Sequence, residues 1–188
     1  MTGAPIGPVP SGVDPDAYDR LRRRVLWAFP TGLFVVGSTG VLDGERRSNL
    51  MTANLVVQVA TDPKLVAVSV EAASLTVRLI EAGGSFALSA PRREDRAVVR
   101  RFVKAVTEIT LDAAGRPSAM AGEPVRTAST GAPILSAAAA WVDCSLRQLI
   151  DLGSHRLAIG EVVDAGGVAE GEAPEILRME DTRMNYGG

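Results

Sequence analysis

His155 is the only histidine of the chain and Cys144 its only cysteine. A single imidazole cannot build a multi-histidine metal centre, and a single thiol makes neither a thiolate zinc site nor an intramolecular disulfide. A lone histidine can still move a proton or hold a ligand by a hydrogen bond. Residue types alone leave a Ser-His-Asp hydrolase open, with His155 as its base. However, no Gly-x-Ser-x-Gly elbow presents a nucleophile. Neither nucleotide loop is present: there is no Gly-x-Gly-x-x-Gly after a strand and no Gly-x-x-x-x-Gly-Lys-Ser/Thr. Three short polar groups are left that could do chemistry. They are Met51-Thr52-Ala53-Asn54, Ser74-Leu75-Thr76, and Gly153-Ser154-His155. Taken singly, they read equally well as a strand with a polar edge, a helix cap, and a turn whose histidine only bonds its neighbours.

The elements that position them follow from pattern. Asp14-Pro15-Asp16 has the acids and early proline of a helix start, and Tyr18, Leu21, Val25 and Leu26 recur at helical spacing up to Pro30. Leu33 to Val36 is a β-type run, and Asp43-Gly44 predicts a hairpin. Residues 51–60 and 64–70 read as two strands around the turn Thr61-Asp62-Pro63, since proline cannot donate to a ladder. Ser74 reads as the N-cap of a helix carrying Leu75, Val77, Leu79 and Ile80, stopped by Gly83-Gly84. A strand is expected over 85–89 and an amphipathic helix over 92–104. Residues 107–131 lack periodicity and read as a long excursion or lid. Two long strands are expected over 134–150 and 156–163, joined around residues 151–154. The total is about seven strands with two or three helices. Short strands joined by turns favour a mainly β barrel over a doubly wound parallel sheet.

Composition narrows the class. The chain has 188 residues, 46% of them hydrophobic, which suits a single domain with a core of its own. Only 4% are aromatic, so that core must be built from Val, Leu, Ile and Ala. The net charge of −2 argues against nucleic acid as the main partner, because a phosphate-binding surface needs a basic excess. Arginine clusters at 22–24, 92–96 and 100–101 read as solvated helix faces. No apolar run approaches the roughly 18 residues of a membrane span. With one cysteine and no signal-peptide pattern, a cytoplasmic protein is expected. Residues 1–16 read as a flexible leader, 17–180 as the domain and 181–188 as a polar tail.

Read in order, several segments resemble the flavin reductase-like, FMN-binding split-barrel family. Met51-Thr52-Ala53-Asn54-Leu55-Val56, then Asp62-Pro63 leading into residues 65–70, is similar to its first signature. Ser74-Leu75-Thr76 and the segment Gly84 to Ser89 follow in the family's order. Asp143-Cys144, Gly153-Ser154-His155 and Ile159-Gly160-Glu161-Val162 resemble its Gly-Asp-His motif and the strand behind it. Ser154 stands where that family often has aspartate. The resemblance runs from about residue 17 to 163.

It implies a dimeric FMN-binding split β-barrel with flavin near the subunit interface, FAD being the alternative flavin. NADH or NADPH is implied as hydride donor, and a separate flavin-dependent monooxygenase as a partner. The cofactor-binding set it implies is Met51, Thr52, Ala53, Asn54, Gln58, Ser74, Thr76, Arg78 and Ser89. In that set the helix start at Ser74 and Thr76 offers N–H and hydroxyl donors to a phosphate, with Arg78 as counter-charge. Asn54 offers both a donor and an acceptor to the ring. The Thr31-Gly32 corner is a further candidate for completing the pocket. His155 is implied as the catalytic residue, placing the donor over the flavin. Arg92 and Arg93 are weighed as contacts to the donor's phosphates against a solvated helix face. The rival reading is an FMN-binding electron carrier or flavin-holding protein with little NAD(P)H activity, suggested by Ser154.

Overall fold

A computed structural model describes residues 7–171, 173–182 and 184. Residues 1–6 of the expected leader, and 183 and 185–188 of the expected tail, lie outside the described residues. The first helix, α1 (Pro15–Trp27), starts where Asp14 accepts a hydrogen bond from the Ala17 N–H at 2.8 Å, with Pro15 at its first position. None of its residues is buried. The hairpin β1 (Phe34–Leu42) and β2 (Glu45–Ala53) turns on Asp43 and Gly44, both at positive φ as a tight two-residue turn requires. Strands β3 (Val56–Thr61) and β4 (Lys64–Glu71) form a second hairpin around a cis Asp62-Pro63 bond.

After β4 come α2 (Leu75–Gly83), β5 (Ser85–Ala90) and the one-turn α3 (Val98–Arg101). Four short strands follow: β6 (Ile109–Leu111), β7 (Pro117–Met120), β8 (Glu123–Thr127) and β9 (Pro133–Leu135). The long hairpin β10 (Ala140–Asp151) and β11 (His155–Gly166) precedes a single 3-10 turn, Met179–Asp181.

The main sheet is antiparallel, with strand order β2-β1-β5-β10-β11-β4-β3. Its two edges, β2 and β3, are consecutive in the chain with only Asn54 and Leu55 between them. So short a link forces the sheet to curl until its edges approach. The concave side holds one core, in which Val36, Ala53, Val68, Phe86, Leu88 and Ala158 close around Val77 and Ile80 of α2. Met51 and Val56, one from each edge, pack on that same core. Side chains alternate along β1, so Val35 points the other way, into a second core with Leu50, Phe102, Met120, Val125 and Leu177. The four-stranded sheet β6-β7-β8-β9 supplies the cover of that second core.

Four sequence expectations are corrected. Residues 107–131 are no lid: they form β6 to β8, with Met120 and Val125 buried. The helix expected over 92–104 shrinks to four residues, because its beginning is drawn into extended pairing. Arg92 bridges Ile176, and the Arg93 N–H donates to the Glu175 carbonyl. The strand expected over 134–150 splits into β9 and β10, since the Ala138 N–H turns back to the Leu135 carbonyl. The run 51–60 breaks at Asn54, whose carbonyl accepts from the Val56 N–H. Eleven strands result among the described residues, seven of them in the main sheet.

Helix α2 meets β1 backbone to backbone. A Cβ on Gly83 would lie 1.9 Å from the Thr39 carbonyl oxygen, and one on Gly40 would lie 2.9 Å from that of Leu79. Gly83→Ala is therefore expected to destabilise the fold by about 1–3 kcal/mol, the usual cost of overpacking. Ala82→Gly, one residue earlier, should cost only about 1 kcal/mol. Denaturant unfolding of the two variants checks this; equal losses would show that the close approach carries no strain.

Candidate functional site

Four segments meet at one end of the main sheet. His155 opens β11 opposite Glu71, the last residue of β4. Directly after it, the Ala72 N–H donates to the Ser154 carbonyl at 3.0 Å. The chain then enters α2, where the Ser74 N–H bonds the Glu71 carbonyl and its hydroxyl accepts from the Val77 N–H at 3.2 Å. On the other flank, the Leu55 carbonyl accepts from the Ser69 N–H at 3.0 Å, and Ser69 lies opposite Leu157. Asn54, Ser74 and His155, far apart in sequence, are thus gathered by β-sheet register.

Each group has a definable chemical state. The His155 turn is fixed by Gly153 at φ 82, by the Gly153 N–H on the Asp151 carboxylate, and by the Leu152 N–H on the His155 carbonyl. The imidazole is half-buried, with Nδ1 3.0 Å from the Ser154 hydroxyl. If that hydroxyl donates, Nε2 carries the proton; if it accepts, Nε2 is a free acceptor. Asn54 is half-buried, and its amide makes no hydrogen bond among the described residues. The N–H groups of Leu75 and Thr76 belong to the first turn of α2, where no carbonyl of the helix can meet them. Arg78 is 54% exposed, and its ion pair to Asp43 is long at 3.9 Å.

Other residues of the expected set are turned inward. The Thr52 hydroxyl donates to the Val99 carbonyl at 2.6 Å. Fully buried Thr76 accepts from the Asn49 amide at 2.9 Å, and fully buried Ser89 accepts from the Leu135 N–H at 3.0 Å. These three side chains are committed to the interior. The Thr52 N–H also donates to the Phe102 carbonyl, and Ser89 is paired in the sheet on both sides, so of the three only the Thr76 N–H is left to meet a ligand. Met51 and Ala53 pack on the first core. Gln58 lies on the exposed edge strand β3, with its amide on the Ala60 carbonyl.

One residue that matters escaped the sequence reading. Asn49 is 2% exposed and uses both ends of its amide, donating to Thr76 and accepting from the Val106 N–H at 2.9 Å. It ties the first turn of α2 to β2. Its only advance signal was a polar pair, Ser48-Asn49, leading into an apolar strand run.

A second feature lies where β1 begins. Residues 173–182 cross the Thr31-Gly32 corner as a strap. The Leu33 N–H donates to Leu177, the Met179 N–H to Thr31, the Leu177 N–H to Pro91 and the Arg93 N–H to Glu175. Arg93 stands clear of any helix, with its Nε donating to Asp181 at 3.0 Å. Burial pushes the Asp181 carboxyl up, but the Arg178 N–H, the Arg93 guanidinium and the charges of Arg93 and Arg96 hold it below the ordinary carboxylate value.

The curled antiparallel sheet, its edges joined at Asn54 and its core plugged by α2, defines the flavin reductase-like split-barrel class. The chain belongs to the flavin reductase like domain family, which matches residues 26–187. An NADH-dependent FAD reductase of Streptomyces globisporus is 31% identical over 161 residues, covering 85% of this chain and 82% of that protein. The solved NADH:FAD oxidoreductase of Streptomyces globisporus C-1027 superposes with a TM-score of 0.69 at 26% identity, over 96% of this chain and 98% of that one. The styrene monooxygenase flavin reductase of Pseudomonas putida S12 gives 0.60 at 25% identity, over 78% and 86%. No described helix is long and apolar enough to cross a membrane.

A carboxyl whose folded pKa is depressed stabilises the fold above its unfolded pKa, about 3.9 for aspartate, and loses that effect as pH falls through the lowered value. Amide protection of Leu177 and Met179 should therefore hold at pH 5 and weaken steeply towards pH 2. Asp181→Asn should show weak protection throughout, with a shallower acid dependence. Hydrogen exchange followed by NMR decides; identical pH profiles would remove Asp181 from the strap's anchorage.

Proposed function

We propose that this chain is an NAD(P)H:flavin oxidoreductase that holds FMN, acts as a homodimer and supplies reduced flavin to a separate flavin-dependent monooxygenase. The observation that carries this reading is the convergence of Asn54, the α2 first turn and the Ser154–His155 pair at one end of the sheet.

The donor set suits a flavin mononucleotide. The N–H groups of Leu75 and Thr76 would hold the phosphate at the positive end of α2, and Arg78 is exposed enough to join them. The free amide of Asn54 would meet the polar edge of the ring. FMN, when bound, supplies the acceptor for hydride from the nicotinamide. His155 would hold the carboxamide of the donor, its tautomer set by the Ser154 hydroxyl. Asn49 keeps the phosphate-binding turn in register with β2. Relatives named for FAD make that flavin the alternative occupant. The styrene monooxygenase reductase supports a monooxygenase as the recipient.

Exposed apolar groups support the homodimer. Leu21, Val25, Leu26, Trp27 and Phe29 on and after α1 are 44–63% exposed, as are Val57 and Val59 of β3 at 60% and 49%. A helix of 13 residues is marginal in water without a packed face. Sedimentation equilibrium should give twice the chain mass; a monomer at micromolar concentration would remove the dimer.

The carrier reading has one observation in its favour: Ser154 offers His155 a neutral hydroxyl rather than a carboxylate. An anaerobic absorbance titration with FMN, followed by NADH and then NADPH, separates the two. The reductase predicts flavin binding and bleaching of its band by one or both nucleotides. His155→Ala should keep FMN bound while slowing bleaching by at least about tenfold, since positioning is lost. Binding without bleaching in the unaltered protein moves the function to the carrier, and no flavin binding at all overturns both.

A further inference from the structure

The strap forms one wall of an open cleft of about 510 Å³ between the Pro30–Phe34 corner and residues 173–178. That lies within the range of small-molecule sites, about 300–1,000 Å³. It is preformed, because four main-chain hydrogen bonds pin the strap to Thr31, Leu33, Pro91 and Arg93. The Phe34 ring lies directly over Gly32, where a Cβ would come within 2.7 Å of it. Glycine there lets an aromatic face form part of the cavity wall, next to Pro30 and Ile176.

The charged lining consists of Arg93, Arg178 and Glu175. Arg93 is held from behind through Nε by Asp181, whose side chain is 5% exposed, and its pair to Glu175 is long at 3.8 Å. Arg178 is 60% exposed and 3.5 Å from Glu180.

These groups discriminate between ligands. A wholly apolar molecule would strip water from the guanidiniums without replacing it. A metal cation would meet two guanidiniums against the single Glu175 carboxylate. A bare phosphate would leave Phe34, Pro30 and Ile176 unused. What satisfies all three chemistries is a flat heterocycle on the ring, a sugar diol on the carboxylate, and a phosphate on the arginines. We infer that this cavity binds the adenosine 5′-phosphate arm of a dinucleotide. The inference rests on the reductase reading, in which two molecules carry that arm: the NAD(P)H donor and FAD.

The test uses the full chain, with Arg178→Glu as a surface variant and Phe34→Leu to remove the ring but keep apolar volume. Binding of AMP, read by calorimetry without flavin or turnover, should fall about tenfold in each variant, as for the loss of one charge-assisted or stacking contact. The source is read from two ratios. If the arm belongs to the donor, KM for NADH rises about tenfold in Arg178→Glu, while KM for reduced nicotinamide mononucleotide, which lacks the arm, stays fixed. If it belongs to FAD, the affinity for FAD falls relative to that for FMN and KM for NADH is unmoved. AMP binding that is absent, or equal in all three proteins, overturns the inference. Should the unaltered protein bind AMP at this cavity yet bind no flavin, the reductase reading fails while the nucleotide site stands.

Discussion

The contact on which the rest depends is the seating of α2 against β1 with no side chain between them. Gly83 and Gly40 permit that approach, and it fixes how deeply the helix sits in the curled sheet. Once the helix is in place, Val77 and Ile80 fill the concave core, and the sheet has something to close around. The same seating aims the first turn of α2 at the sheet end where β4 stops and β11 begins. Core packing and site placement are consequences of one backbone contact, and a methyl group at Gly83 would disturb both.

Polar interior residues complete that placement. Along β2, Ser48, Asn49 and Thr52 are buried in a strand that ends at Ala53, just before Asn54. Each is bonded: Ser48 to Thr39, Asn49 to Thr76 and Val106, and Thr52 to Val99. A buried hydrogen bond is directional, whereas apolar packing tolerates sliding. The strand is thereby held in register against both α2 and the segment after α3. The N–H groups of the α2 first turn are in this way held at a fixed place relative to β2.

Much of this was legible in the residues. Asp43-Gly44, Ser74 and Gly83-Gly84 announced a turn, a cap and a stop through local backbone chemistry, and each lies where that chemistry put it. The three polar groups of the candidate site were visible as sequence, and their order brought the family into view. What could not be read was decided by partners distant in the chain. Residues 92–104 have a helical pattern, but their beginning pairs with 175 and 176 instead. Residues 107–131 have little pattern because their three short strands bury so few side chains: none fully in β6, two in β7 and one in β8. Thr52, Thr76 and Ser89 read as surface donors because a buried hydroxyl and an exposed one are spelled alike.

The strap carries a consequence for the order in which the fold closes. Thr31 and Leu33 stand at the threshold of the first strand, yet their hydrogen-bond partners are Met179 and Leu177. Closing so wide a loop is slow beside the pairing of neighbouring strands. Hairpin neighbours are therefore expected to pair before the cavity beside Phe34 gains its far wall. The start of β1, the first part of the main sheet in the chain, is thus among the last to be tied down.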